Sequence, residues 1–179
     1  MEFIILNVFL GVIIFVSLII LWFILPPDSP WTPWWRTNSK KAVAAGRLAQ
    51  ITSRDLVYEL GSGDANFLTA VSKKFGSQGY GIEFDYLRHL MARLNIYKNG
   101  QSKNIILKRG NFFDYKLTKA TVIFVYLVPR VLEKLKPKLI QELKKGTRII
   151  SYRYKFKPND KIKFIKSDLK NDIHLYKIV

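Results

Sequence analysis

Ten residues, Val57-Tyr58-Glu59-Leu60-Gly61-Ser62-Gly63-Asp64-Ala65-Asn66, constrain the fold of this chain more than any others. The apolar run from Leu56 to Leu60 predicts a buried strand, and the apolar spacing from Phe67 onward predicts a helix. Only a short turn is left to join them. Gly61 and Gly63 have no Cβ, so the backbone there is free to take left-handed angles and to let another molecule come close. Glu59 sets a carboxylate at the end of the strand, beside the turn. Strand, glycine turn and helix in immediate succession make a βα unit, the building block of an α/β sheet.

The rest of the chain repeats the alternation. Residues 79–83, 104–107, 120–127 and 148–154 read as strands, and residues 64–75, 86–97 and 130–143 as helices. In the second of these helices Leu87, Leu90, Met91, Leu94 and Tyr97 are spaced for one face; in the third, Pro137 predicts a break or the start of a second helix. Residues 38–51 read as a further helix, capped by Asn38 or Ser39. Residues 161–165 and 173–178 are strands with no helix between them, joined by the turn-like Lys170-Asn171-Asp172. The expected fold is α/β, a Rossmann-like, mostly parallel sheet with an antiparallel C-terminal edge hairpin.

Ahead of this domain, residues 3–25 carry no charge, and their only polar side chains are Asn7 and Ser17. As a helix they would reach roughly 34 Å at about 1.5 Å per residue, enough to cross a bilayer core. No basic residue precedes the run and no small-residue cleavage site follows it, so it reads as an uncleaved transmembrane anchor. Residues 26–37 are a Pro/Trp-rich linker. Trp22, Trp31, Trp34 and Trp35 suit an interfacial belt, and Trp34 or Trp35 also suits a substrate entrance near the bilayer. Arg36, Lys40, Lys41 and Arg47 follow, which places residues 38–179 on the cytoplasmic face by the positive-inside rule.

Charge and composition narrow the partners. The net charge is +17, from 30 Lys and Arg against 13 Asp and Glu. Residues 134–170 alone hold 13 Lys and Arg against Glu142, Asp160 and Asp168, a basic surface suited to anionic lipid. Nucleic acid is the other anionic candidate. No RNA-binding motif accompanies the charge, and an anchored chain makes nucleic acid a poor partner. There is no Cys, and His89 and His174 are far apart, so no metal site is expected and each His reads as a partly exposed residue.

A dinucleotide fingerprint would need a third Gly where Asn66 stands. The spacing E-x-G-x-G-x-small, Glu59 to Ala65, instead resembles motif I of the class I S-adenosylmethionine-dependent methyltransferases. Glu83 ends the second strand 22 residues after Gly61, where a carboxylate accepts hydrogen bonds from a ribose. The resemblance extends through the proline-rich stretch, the Tyr126-Leu127-Val128-Pro129 strand end and the Lys136-Pro137-Lys138-Leu139 helix. It is to a family of small single-anchor methyltransferases that includes the lysine methyltransferase of the mitochondrial ATP synthase c subunit. It implies S-adenosyl-L-methionine as donor, with Glu59, Gly61, Ser62, Gly63, Asp64, Glu83, Asn111 and Phe112 around it. Asn111 stands where many relatives carry an acid toward the adenine amino group, and Ala65 where they carry Gly.

The acceptor belongs at the end of the fourth strand, across the switch point of the sheet. Tyr126 is the expected first contact to the acceptor nitrogen, and Pro129 is expected to shape its slot. A protein lysine on a membrane-associated substrate is the leading acceptor. A lipid or other amphiphile, and a non-catalytic nucleotide-binding scaffold, are the alternatives.

Overall fold

The computed structural model describes residues 2–24 and 35–179. Helix α1 (Glu2–Ile24) belongs to one compact unit, and the chain from Trp35 onward forms another. The linker expected over 26–37 lies outside the described residues as far as Trp34, and so do Trp31 and Trp34. Within α1 the segment Phe3–Leu21 is long and apolar enough to cross a membrane, and none of it is buried in protein. Asn7 turns its amide back to the Phe3 carbonyl at 2.7 Å, which satisfies a polar side chain on an otherwise apolar helix.

The second unit opens with α2 (Ser39–Leu48), whose cap, Asn38, accepts the Lys40 N–H at 2.8 Å. There follow β1 (Leu56–Leu60), α3 (Asn66–Phe75), β2 (Gln78–Glu83), α4 (Tyr86–Lys98) and β3 (Ile105–Arg109). After a single 3-10 turn at Phe112–Asp114 come β4 (Val122–Val125), α5 (Pro129–Glu142), β5 (Arg148–Tyr152), β6 (Ile162–Asp168) and β7 (Ile173–Ile178). They build one seven-stranded sheet in the order β3-β2-β1-β4-β5-β7-β6. The first five strands are parallel, and β7 runs antiparallel to both β5 and β6. This is the expected Rossmann-like sheet with its C-terminal hairpin.

Period-two alternation assigns the two faces. Val57, Phe124, Ile150 and Leu175 point into a core with α2, α3 and α4. Their neighbours Tyr58, Ile123, Ile149 and Tyr176 point into a second core with α5. The Phe67 ring of α3 stacks on Phe124 of β4, with centroids 3.6 Å apart, and fixes α3 over the sheet centre. Winding reverses between β1 and β4, so a crevice opens beyond the carboxyl ends of those strands.

Three expectations are corrected. Pro137 does not break α5, which is continuous from Pro129 to Glu142. Pro137 is exposed, on the side of α5 turned away from the core residues Val131, Leu132, Leu135 and Leu139. In α4 the expected apolar stripe does not face the core: Arg88, Ala92 and Ile96 do, while Leu87, Leu90, Met91, Leu94 and Tyr97 are exposed. His174 is buried, because β7 is an interior strand of the hairpin; its Nδ1 lies 2.7 Å from the Ser167 hydroxyl. His89 is half-buried.

Candidate active site

Register brings Leu60, Ile82 and Val125 side by side, so Gly61, Glu83 and Tyr126 emerge along one edge of the sheet. Gly61 (φ 79°), Gly63 (φ 53°) and Ala65 (φ 55°) all lie in the left-handed region, and the chain doubles back between β1 and α3. Ala65 thus stands where a glycine would be unstrained; a left-handed alanine costs about 1–2 kcal/mol. It is held there by complete burial and by donating its N–H to the Ser62 carbonyl at 2.7 Å.

The turn uses most of its N–H groups internally. Gly61 and Ser62 both donate to the Ile82 carbonyl, at 2.9 and 3.0 Å. Gly63 donates to Glu83 Oε2 at 2.6 Å, and Asn66 to Asp64 Oδ1 at 3.2 Å. What gathers around the turn is acid. Glu59, Asp64 and Glu83 are all buried, and Glu59 Oε2 and the Ser62 hydroxyl have no partner among the described residues. Burial, then the charges of Asp64 and Glu83, hold the Glu59 carboxyl well above its usual range against one N–H from Leu68. Burial also raises Glu83, opposed by the N–H groups of Asp85 and Gly63.

Such a lining repels phosphate and suits a cation. S-adenosylmethionine carries a sulfonium and an ammonium, no phosphate, and a ribose diol for an acid to grip. A buried carboxyl oxygen and a buried hydroxyl, both without partners among the described residues, fit it beside a close-approach turn. A pyrophosphate would need the N–H groups that this turn has already used.

Residues before α2 close over the turn. Arg36 Nε pairs with Asp64 Oδ2 at 2.5 Å, the Asn66 amide donates to the Thr37 carbonyl, and the Ser39 hydroxyl lies 3.1 Å from Asn66 Oδ1. Arg36 to Ser39 and Asn66 border a pocket of about 310 Å³. Asn111 lies beyond β3, exposed, and its Oδ1 caps the 3-10 turn by accepting the Phe113 N–H at 3.1 Å. Phe112 is half-buried and tilted against Phe113 at 4.7 Å, packed on the α5 side of the sheet.

Tyr126 continues β4 and meets Tyr152, the last residue of β5, edge to face at 4.5 Å. Lys41 of α2 sends its ammonium to the Tyr152 hydroxyl at 2.9 Å, 5.3 Å from the ring centroid. Arg153, in a left-handed conformation, donates to the Tyr126 hydroxyl at 3.4 Å and lies 5.4 Å over the exposed Trp35 ring. Tyr152 and Lys41 were not legible as site residues, since 111 positions separate them. Adjacency of the β4 and β5 ends was the available signal. Pro129 is exposed at the first turn of α5, where its ring starts the helix.

The methyltransferase domain described as ANTKMT matches residues 59–170. A protein-lysine N-methyltransferase of Saccharolobus islandicus is 33% identical over 156 residues, 85% of this chain and 95% of that protein. The chain belongs to the ANTKMT methyltransferase family. The adenine nucleotide translocase lysine N-methyltransferase of mouse is 30% identical over 96 residues, and the match spans 42% of that protein. An RNA methyltransferase of Salinibacter ruber, solved with S-adenosyl-L-homocysteine, superposes with a TM-score of 0.75 at 28% identity, over 80% of this chain and 94% of that one. An O-methyltransferase of Bacillus cereus, also with S-adenosyl-L-homocysteine, shares the fold at a TM-score of 0.65 and 14% identity, over 82% and 84% of the chains. This ANTKMT-family chain is an S-adenosylmethionine-dependent methyltransferase.

Proposed function

We propose that the chain methylates the side-chain nitrogen of a lysine in a membrane-associated protein, at the cytoplasmic face of a bilayer that α1 spans. The observation that carries the acceptor is the seat of Lys41. A lysine ammonium already rests against Tyr152, next to Tyr126, at the strand ends beside the Gly61 turn. The lysine-directed relatives agree with this reading.

Bound S-adenosylmethionine supplies an activated methyl group on sulfur. The remaining work falls to the chain. Glu83, fixed by Gly63 and Asp85, holds the ribose hydroxyls, and Glu59 neutralises the ammonium of the methionine end. Ser62, beside Glu59 and Glu83 on the turn, offers its free hydroxyl. Asn111 and Phe112 border the adenine end. Tyr126 orients the incoming amine by accepting one of its N–H groups, leaving the lone pair free to point at the methyl carbon. Arg153 beside the Tyr126 hydroxyl disfavours a second positive charge, so it promotes the neutral, nucleophilic amine. Alignment of this kind lowers a bimolecular barrier by up to about 7–11 kcal/mol.

Membrane attachment rests on the length and apolarity of Phe3–Leu21 and on the basic residues that follow. The test is transfer of a labelled methyl group from donor to a membrane fraction, sorted into protein, lipid and RNA. Label recovered as methyl-lysine is the expected result; label confined to lipid or RNA overturns the lysine assignment.

A further inference from the structure

The exposed apolar face of α4 has no covering element among the described residues. Tyr86, Leu87, Leu90, Met91, Leu94 and Tyr97 are between 37% and 77% exposed, on a helix whose opposite face supplies Arg88, Ala92 and Ile96 to the core. At about 100° per residue the six lie within an arc of roughly 140°. Leu107 of β3, half-buried, faces the same side and lines the space beside the helix. Between helix and strand runs a groove of about 680 Å³ that includes Leu90, Leu94 and Tyr97. Soluble domains rarely leave so many large side chains together in water unless something covers them.

The charge around this face identifies the cover. Arg93 borders one edge of the arc and Lys98 lies near the other, while Lys103 before β3 and Arg109 at its end extend the rim. Arg109 lies over the Tyr86 ring, 5.7 Å from its centroid. Between residues 84 and 109 the single acid is Asp85, and its carboxylate caps α4 through the Arg88 N–H at 2.8 Å. A second copy would bring the same unopposed positive charge against this one. An anionic lipid surface offers what the face lacks: phosphates for the basic rim and acyl chains for the apolar arc.

We infer that α4 lies in the headgroup region of an anionic bilayer and is a second membrane contact besides α1. The inference rests on the anchored reading above, and adds which face of the catalytic domain meets the lipid. It assigns to this helix a contact that the basic stretch at 134–170 does not supply.

The absence of Cys makes single-cysteine spin labels available in the full chain. Leu94→Cys reports α4, Leu10→Cys reports α1, and Gln141→Cys reports the exposed side of α5 on the opposite sheet face. The labelled chains are reconstituted into vesicles of phosphatidylcholine with phosphatidylglycerol, and into phosphatidylcholine alone. The readout is accessibility to oxygen in lipid and to a nickel chelate in water. On anionic vesicles the label at 94 is expected to be several-fold more protected from nickel than the label at 141. On neutral vesicles, or with Arg93→Glu and Lys98→Glu added, that protection is lost. Nickel access at 94 equal to that at 141 on anionic vesicles overturns the inference whatever the label at 10 reports. Nickel access at 10 overturns the anchor instead. Dipolar broadening at 94 that persists without lipid shows a second copy on this face, and also overturns the inference.

Discussion

Glu83 Oε2 accepts the backbone N–H of Gly63 at 2.6 Å, which ties the end of β2 to the turn that leaves β1. The other oxygen accepts the Asp85 N–H at 2.9 Å, so the carboxylate is fixed in orientation before any ligand arrives. Each oxygen keeps a lone pair for a further donor. The sequence places these two residues 20 positions apart; the parallel pairing of β1 with β2 makes them neighbours.

Glu59 gives a proton signature for donor binding. Burial and the neighbouring acids favour its protonated form in the free protein, and a bound ammonium would favour its ionised form. Binding of S-adenosylmethionine is therefore expected to release a proton, most fully at pH values below the raised pKa of Glu59 and progressively less above it. Calorimetry in buffers of different ionisation enthalpy measures the released proton. Glu59→Gln is expected to remove the buffer dependence and weaken binding.

Tyr126 separates acceptor chemistry from donor binding. Tyr126→Phe keeps the ring against Tyr152 but deletes the hydroxyl that receives Arg153 and, in the proposed mechanism, the acceptor amine. The acceptor nitrogen gains positive charge as the methyl transfers, and a hydrogen bond to a charged group is worth about 1.5–3 kcal/mol, so kcat/KM for the protein acceptor should fall roughly 10- to 100-fold. Affinity for S-adenosylmethionine, measured on the same preparation, should stay unchanged.

Asp55 predicts an acid limit to stability. It accepts the Thr52 N–H at 2.8 Å and the Thr121 hydroxyl at 2.7 Å, and pairs with Arg148, which joins the starts of β1, β4 and β5. Burial alone would raise its pKa, but the Thr52 N–H, the Thr121 hydroxyl and the Arg148 charge outweigh that and hold it below the usual value. A lowered carboxylate pKa stabilises the fold above the unfolded pKa of about 3.9, and the contribution disappears as pH falls through the folded value. The Tm gap between wild type and Asp55→Asn should be full at neutral pH and close in acid.

The parts of this molecule written in local spacing were legible in the sequence. Gly61, Gly63 and Glu83 announced the turn and its acid because a βα unit has few ways to be built. The C-terminal hairpin followed from two strands without a helix. The α4 orientation was not legible, since its helix has apolar residues on two sides. The small Ala92 allows close packing on the core side, while the larger side chains meet solvent. Nor did spacing reveal that the turn's N–H groups would be consumed by Ile82 and Glu83, a consequence of how tightly three left-handed residues fold the loop onto β2. Pairing of Lys41 with Tyr152 depends on where α2 packs, which no local pattern encodes.

The most direct test is a titration of S-adenosylmethionine into wild type, Glu83→Ala and Gly61→Trp, with folding of each checked by circular dichroism. Wild type should bind. Glu83→Ala should lose about 100-fold or more in affinity, the worth of two charged hydrogen bonds to the ribose. Gly61→Trp, at a left-handed position 3.7 Å from Leu127 at its Cβ, should lose binding altogether. Unchanged affinity in both folded variants would contradict the site.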